Sequence, residues 1–269
     1  MSMEGLYLYC IKEKSGSPIG LSSKAIDGKG EVFVFGYREL EAVVSSIPLE
    51  EFTSQEIQNK ARENLGWIKE KAVQHETVME ELANGGANLL PMRFGVIFRE
   101  RTNIEATLEK NYYKIKNALD RIRGKQEWSV KVYLKSSKDF EQALKANDDT
   151  IRKKEKAIAE APEGVAFFLE QELKEILARA MDRELSNVAN LVFTSLERKA
   201  HAAKKCKILT KELTNRNDTM TLNAAFLIAG ERVEDFRKEA EAVERTIRDR
   251  GFCLEYCGPW PNYNFSDYE

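Results

Sequence analysis

The sequence has few of the residues that most catalytic and metal sites use. It contains two histidines and four cysteines in 269 residues. The cysteines lack the paired spacing of zinc ligands, so we interpret them as buried small side chains and expect no metal: Cys10, Cys206, Cys253 and Cys257. Four cysteines in a chain of this length also do not make a disulfide framework, which favours a reducing, cytoplasmic setting.

Long apolar runs and an excess of one charge are also missing. No apolar stretch approaches the ~20 residues that a membrane helix needs, and the acidic residues 1–5 do not form a signal peptide. The 42 basic and 44 acidic residues give a net charge of −2. This balance provides no electrostatic footprint for nucleic acid or for a lipid membrane. The basic residues around His201 are interpreted as a solvated helix end, with a nucleic-acid patch as the weaker alternative.

Catalytic motifs are absent as well. There is no GxSxG motif, and Gly28-Lys29-Gly30 lacks the strand–loop–helix spacing of a phosphate-binding loop. His75 falls on the apolar face of a predicted helix, where a histidine is more often a core residue hydrogen-bonded through its ring nitrogens than a catalyst. With His201 solvated, no nucleophile–base pair suggests itself. We therefore expect no enzymatic activity and no cofactor.

The most informative stretch that is present runs from residue 88 to residue 98. Its alternation predicts one strand with a wholly apolar face, formed by Leu90, Met92, Phe94, Val96 and Phe98. Pro91 cannot donate to a β-ladder, which predicts an edge position or a bulge. On the other face Gly95 leaves room beside Arg93. Two interpretations follow: Arg93 pairs with a carboxylate at a sheet edge, or Arg93 and the gap at Gly95 receive a ligand or partner.

The first half of the chain predicts an α+β domain at residues 1–124 with a small mixed sheet and helices. Strands are predicted at 5–11, 32–35, 42–47 and 88–98. A long helix is predicted from Ser54 to the Asn84-Gly85-Gly86 stop, and a second helix ends at Gly124.

The second half, residues 125–257, predicts the ferredoxin-like order βαββαβ. Its elements are a strand at 127–134, a long helix at 162–203, strands at 206–213 and 219–229, a helix at 231–250 and a strand at 252–257. In the first strand Trp128 faces inward and Glu127 faces outward. Residues 137–160 are a charged helical insertion, read as two short exposed helices.

The tail, residues 258–269, combines two prolines with four aromatic residues. This composition predicts an extended, polyproline-like backbone. Two compatible roles are open: the tail packs back on its own domain, or it forms a surface for a partner, because tryptophan, tyrosine and arginine are the usual anchors of interfaces.

Four segments together resemble the gas vesicle protein F/L family, GvpF/GvpL. They occur in the family's order and span nearly the whole chain: Gly5–Tyr9; His75 followed by Leu89–Gly95 (LLPMRFG); Glu127–Val132 (EWSVKV); and Leu222–Leu227 (LNAAFL) with Gly258–Pro261 (GPWP) and the following Tyr263 and Phe265. The PMRFG and GPWP stretches are the specific ones. Departures are small; for example, Asn262 stands where a second proline is usual.

The resemblance implies a non-enzymatic accessory or minor structural protein of gas vesicle assembly, with two α+β domains. Its expected partners are the small hydrophobic shell protein (GvpA-type) and other accessory proteins, and its expected location is cytoplasmic, associated with the gas vesicle. Arg93, Phe94, Trp260, Tyr263 and Phe265 are the expected partner-binding residues. A further set is expected to be structural: Pro91, Gly95, His75, Trp128, Asn223 and Pro259. The alternative is a ferredoxin-like small-ligand-binding or regulatory protein.

Overall fold

The computed structural model describes residues 3–14, 21–52, 54–214 and 216–267. The chain forms two compact units. The first contains the described residues up to Glu127 together with those from Pro259 onward, and the second is Trp128–Gly258. The sequence also predicts a loop at residues 15–30 and a hairpin turn at residues 215–218. Residues 15–20 of that loop, the turn residue Asn215 and the tail residues 268–269 lie outside the described residues.

The first unit contains five whole strands and four helices among its described residues, besides the first residues of one further strand and the last residues of another. The strands are β1 (Glu4–Glu13), β2 (Val32–Tyr37), β3 (Leu40–Pro48), β4 (Leu89–Pro91) and β5 (Ile97–Phe98). The helices are α1 (Leu49–Phe52), α2 (Ser54–Glu63), α3 (Leu65–Asn84) and α4 (Arg101–Ile122).

Strand β1 is the centre of the first sheet, whose order is β2-β3-β1-β4, with β5 also pairing with β1. It pairs with β3 from Glu4↔Pro48 to Glu13↔Leu40, with a shift in register between Leu8 and Cys10. Each described pairing of this sheet is antiparallel. The predicted mixed sheet is therefore wrong. Burial of Tyr7 and its neighbours on both faces agrees with the central position of β1.

The predicted strand at 88–98 is two short strands joined by a turn. Gly95 has a φ of 88°, in the left-handed region where the ladder cannot continue and where glycine is favoured. Its N–H donates to the Tyr7 hydroxyl at 3.1 Å. Pro91 ends β4, which lies at the end of the sheet path. The apolar alternation is present in the sequence, but it does not belong to a single strand, because Leu90 lies in β4 and Phe98 lies in β5.

The predicted long helix from Ser54 is interrupted at Asn64. The side chain of Asn64 accepts a hydrogen bond from the Trp67 N–H and so forms the N-cap of α3. Helix α3 then packs Val78, Met79 and Leu82 against the β1 side chains of the same core. The apolar periodicity continues across the break, which is why it did not reveal the interruption.

The second unit is built on a four-stranded sheet of order β7-β8-β6-β9. Its strands are β6 (Lys125–Leu134, which begins in the first unit), β7 (Ala202–Lys205), β8 (Thr219–Ala229) and β9 (Phe252–Trp260, which ends in the first unit). Its helices are α5 (Ser137–Asn147), α6 (Asp149–Glu160), α7 (Glu163–Glu197), α8 (Lys211–Thr214) and α9 (Val233–Arg248). The chain therefore alternates helices and strands in the predicted order, while the ferredoxin-like assignment stays a prediction.

The region after α7 differs from the prediction. Helix α7 ends at Glu197 rather than 203, and β7 occupies residues 202–205 rather than 206–213. Pairing with β8 explains the position of β7, because its register runs from Ala202↔Leu227 to Lys205↔Ala224. Beyond it, the Asn223 side chain donates to the Lys207 carbonyl at 2.7 Å, which takes the place of a regular ladder.

The last strand is longer than predicted and shortens the tail. Strand β9 continues through Pro259 to Trp260, so residues 258–260 are strand rather than polyproline-like. Strand β9 lies at the edge of its sheet, where a proline without an N–H is tolerated. Residues 263–265 then form a turn, with the Tyr263 N–H donating to the Pro261 carbonyl at 2.7 Å.

Candidate functional site

A buried group of aromatic side chains marks the centre of the first unit. Tyr7 and Tyr9 point from β1 toward α3, because alternate residues of a strand share a face. His75 of α3 lies 2% exposed between them and stacks on the Tyr9 ring at a centroid distance of 5.7 Å. Its Nδ1 lies 2.9 Å from the Tyr7 hydroxyl. Helix α3 is therefore tied to β1 by a polar contact within an apolar core.

The tail completes this group through Tyr263. The Tyr263 hydroxyl donates to Glu76 at 2.8 Å and lies 3.1 Å from His75 Nε2. A hydroxyl has one proton to donate, so Tyr263 accepts its second bond from the His75 Nε2–H. Nδ1 is then the acceptor for the Tyr7 hydroxyl, which in turn accepts from the Gly95 N–H. The bonds form one continuous chain from the β4–β5 turn to the tail.

The ionisation of this hydrogen-bonded chain is set by burial. Burial lowers the pKa of His75 to about 4, and a backbone hydrogen bond with Met92 opposes this shift more weakly. Burial also raises the pKa of Glu76, against the smaller effect of the Tyr263 hydrogen bond. The pKa values of Tyr7 and Tyr263 are raised for the same reason. The imidazole is neutral near pH 7, and its two ring nitrogens are both engaged.

Two further attachments hold the tail on the first unit. Asn264 donates its backbone N–H to Glu127 at 2.9 Å and its side-chain amide to the other carboxylate oxygen at 2.6 Å. Arg121 donates to the carbonyls of Phe265 and Asp267 at 2.9 and 2.8 Å. Both partners sit close together in the chain, at the end of α4 and the start of β6. The tail is thus fixed at three successive points.

A small cleft opens beside the docked tail. Its volume is about 200 Å³, and it is lined by Pro91, Met92, Arg93, Val96, Tyr263, Ser266 and Asp267. Arg93 is exposed, and it lines the cleft together with residues of the tail. A guanidinium at the mouth of such a cleft offers hydrogen bonds to a partner's carboxylate or carbonyl groups.

A larger cleft of about 580 Å³ lies where the tail enters the unit. The end of α3, the end of α4 and residues 259–262 line it. Trp260 forms part of the lining and is 42% exposed. This cleft combines an accessible indole with charged groups, among them Glu80 and Arg123. An indole placed in this way is a typical anchor for a protein partner.

Comparison with known proteins assigns the chain to a protein family. The model of the family described as "Gas vesicle synthesis protein GvpL/GvpF" matches residues 5–267. The chain belongs to the GvpL/GvpF family. It is 25% identical over 230 residues to gas vesicle protein L of Streptomyces sp., covering 85% of this chain and 80% of the relative. It is 23% identical over 268 residues to gas vesicle protein F of Haloferax mediterranei, covering 98% and 94%.

Solved GvpF structures share the fold. The crystal structure of GvpF from Anabaena sp. superposes with a TM-score of 0.79 at 21% identity, covering 98% of each chain. That of GvpF from Microcystis aeruginosa gives a TM-score of 0.71 at 20% identity, covering 98% of this chain and 99% of the other. At these identities the likeness establishes a two-sheet α+β fold of the GvpF type.

The GvpL/GvpF fold brings together three of the residues predicted to bind partners. Arg93 and Tyr263 share the small cleft, and Phe94 packs behind it with its ring centroid 6.2 Å from those of both Tyr7 and His75. Trp260 lines the larger cleft instead. Phe265 is half-buried, and its carbonyl is held by Arg121.

The residues expected to be structural are distributed over both units. Pro91, Gly95 and His75 belong to the first unit, as does Pro259, which is exposed in β9. Trp128 and Asn223 lie in the second unit. The Trp128 ring packs near Phe236 and Tyr256, with centroid distances of 6.4 and 6.2 Å.

Glu127 is a functional residue that the sequence does not reveal. Its position in the alternation of β6 placed it on an outward face, but Glu127 is 3% exposed and binds Asn264 at two points. Alternation separates the two faces of a strand without saying what covers each face. The only hint in the sequence is the polar Asn-Tyr-Asn run in the tail, which supplies the donors.

The cysteines also differ from the expectation of uniform burial. Cys10 is buried, Cys206 and Cys253 are half-buried, and Cys257 is exposed. Within the part of the chain that the structure describes, no cluster of three or more histidine, cysteine or acidic side chains is arranged for a metal ion. A search of the same residues finds no helix with the length and apolar content required to span a membrane.

Proposed function

We propose that this GvpL/GvpF protein is a non-enzymatic accessory protein of gas vesicle assembly that binds the hydrophobic shell protein and other accessory proteins. The observation that carries the proposal is the family match over residues 5–267, supported by relatives named gas vesicle proteins F and L. In this proposal the protein acts in the cytoplasm and associates with the growing gas vesicle.

The physical basis is protection of an incomplete surface. Before incorporation, a hydrophobic shell subunit exposes apolar faces and unpaired strand edges, which pair indiscriminately. A folded protein that offers an aromatic side chain beside polar groups can cover such a surface by strand addition or groove binding. In this proposal the exposed side chains of Trp260 and Arg93 in the first unit contact the partner. The half-buried side chains of Tyr263, Phe94 and Phe265 support that surface from below.

The competing small-ligand function receives less support from the geometry around Arg93 and His75. The cleft at Arg93 measures about 200 Å³, below the roughly 300–1,000 Å³ of most ligand pockets. Both ring nitrogens of His75 are occupied by tyrosine hydroxyls of the same chain. The ring nitrogens of His75 and the tyrosine hydroxyls therefore bond to each other and do not point into an open cavity.

Co-purification of the tagged chain with co-expressed shell protein tests the proposal. We expect the wild type to retain the shell protein, and the triple variant Arg93→Ala, Trp260→Ala, Phe265→Ala to lose most of it. The matched control is Tyr113→Ala, which removes an aromatic side chain that is 78% exposed on α4. Circular dichroism confirms folding of each variant. Retention by the folded triple variant contradicts these sites, and absence of shell protein from the wild type contradicts the function.

A further inference from the structure

The start of α7 carries an aromatic surface that the fold leaves uncovered. We define the aromatic tip as Val165, Phe167 and Phe168, which are 51%, 58% and 70% exposed. The two phenylalanine rings contact edge to face with centroids 5.8 Å apart. Scattered exposed apolar residues are ordinary, but three large ones within a single helical turn form a patch of the kind that marks an interaction site.

The intramolecular packing of α7 does not use the two phenylalanines. Helix α7 packs on α6 through a core formed by Ile151, Leu177 and Ala180, with Leu173 and Ile176 against it. On α7, Leu169, Leu173, Ile176 and Ala180 recur at steps of four and three and form one stripe. At 100° per residue, Phe168 and Phe167 lie about 110° and 150° away from the middle of that stripe, on opposite sides of it. Phe167 and Phe168 are therefore exposed because their positions in the sequence place them off the packing stripe of α7.

Glutamates border the aromatic tip. Glu163 and Glu170 lie one turn before and one turn after Phe167, and Glu172 lies one turn after Phe168. On α6, Lys154 pairs with Glu172 and offsets its charge, and Lys156 lies 3.9 Å from Glu160. Among the described residues, no ion pair involves Glu163 or Glu170. Glu163 and Glu170 therefore make the rim of the tip negative.

We infer that the aromatic tip binds a segment of the shell protein in which apolar side chains are flanked by lysine or arginine. The inference rests on the proposed function and adds a second contact site, its charge and the matching chemistry of the partner. Apolar area supplies the affinity, and the glutamate rim selects basic flanking residues. The same rim disfavours an anionic membrane surface and a symmetric contact between two copies, because both would bring negative charges together.

The experiment is co-purification of the full chain with co-expressed shell protein, compared across two kinds of variant. The first variant is Phe167→Ala with Phe168→Ala, and the second is Glu163→Lys with Glu170→Lys. We expect each to reduce the amount of shell protein retained by at least about tenfold, since exposed aromatic anchors and complementary charges dominate such contacts. Tyr113→Ala is the matched control and retains wild-type binding. The wild-type complex also weakens as salt is added.

Each other outcome overturns the inference in a defined way. If the wild type binds the shell protein and both variants bind equally well, the tip is not the contact site, while the proposed function stands. If only the phenylalanine variant loses binding, the basic character of the partner is wrong. If the wild type alone is a dimer on size-exclusion chromatography and the phenylalanine variant is a monomer, the tip contacts a second copy. If the wild type retains no shell protein, the inference and the proposed function fail together.

Discussion

At the scale of single residues, Tyr263 connects the tail to the core of the first unit. Its hydroxyl joins Glu76 and His75, and therefore links the tail to α3. We predict that Tyr263→Phe destabilises the protein by about 1–3 kcal/mol, because it leaves buried polar partners unsatisfied while keeping the ring. Urea unfolding measures the change. Tyr113→Phe, at an exposed position, is the control and stays within about 0.5 kcal/mol of the wild type. Equal stability of both variants contradicts the role of Tyr263.

His75 gives a second residue-scale prediction, in which pH is the variable. Burial lowers its pKa to about 4 from the ordinary 6.5. Between these values the unfolded chain binds a proton that the folded chain does not, so stability falls as pH falls through this window. Fully developed, the shift corresponds to about 3 kcal/mol.

Comparison with His75→Gln isolates this contribution from those of other titrating groups. We expect the difference in unfolding free energy between wild type and variant to be largest at pH 7 and to shrink toward pH 4. Urea titrations at pH 7, 6, 5 and 4 measure it. Curves that run parallel across the window contradict a buried, neutral imidazole.

At the scale of elements, the turn between β4 and β5 depends on Gly95. Its φ of 88° disfavours any residue with a Cβ, although an added Cβ would meet only Ile57 Cδ1, at an ordinary 3.5 Å. We predict that Gly95→Ala costs about 1–2 kcal/mol from backbone conformation alone. Gly164→Ala is the matched control, because Gly164 lies in α7 with nothing within 4 Å of the added Cβ. There alanine is expected to stabilise by up to about 1 kcal/mol. Thermal unfolding of both variants is the measurement, and we expect the melting temperature to fall for Gly95→Ala and to rise for Gly164→Ala.

The elements also show what the sequence can and cannot predict. Helix α9 and strand β8 lie close to their predicted positions, because one regular set of side chains from each packs against the same core. The prediction of a single strand at 88–98 was wrong because the alternation of apolar and polar residues continues across the Gly95 turn. Helix α3 begins at Asn64 because a side-chain cap competes with continuation of the helix. Caps, turns and tertiary pairing decide where elements begin and end, and these depend on neighbours that periodicity does not contain.

The candidate site was predictable only in part for the same reason. Arg93, Phe94 and Tyr263 were named from motifs that resemble the GvpF/GvpL family, and the fold places them around one cleft and its supporting core. Glu127 was not named, since the partner that buries it, Asn264, lies 137 residues further along the chain. A contact at that separation has no local signal in a single sequence.

At the scale of the whole molecule, the chain returns to its first unit after completing the second. The unit boundaries place residues from Pro259 onward with the residues up to Glu127. The tail therefore contributes to the stability of a unit whose other residues end at Glu127, before the whole of the second unit. Because the tail bonds to Glu76, Glu127 and Arg121, the first unit cannot form its full set of hydrogen bonds until the tail has been made.

Truncation after Gly258 tests this dependence on the tail. We predict that the truncated chain melts roughly 10 °C lower in its first unit, because it loses the tail's contacts, among them the hydrogen bonds to Glu127 and to His75 Nε2. Hydrogen exchange measures the location of the effect. Protection should fall in β1 and α3 and stay unchanged in α9 and β8, which belong to the second unit and serve as the internal control. Unchanged protection throughout would contradict a structural role for the tail, and its aromatic residues would then serve only a partner.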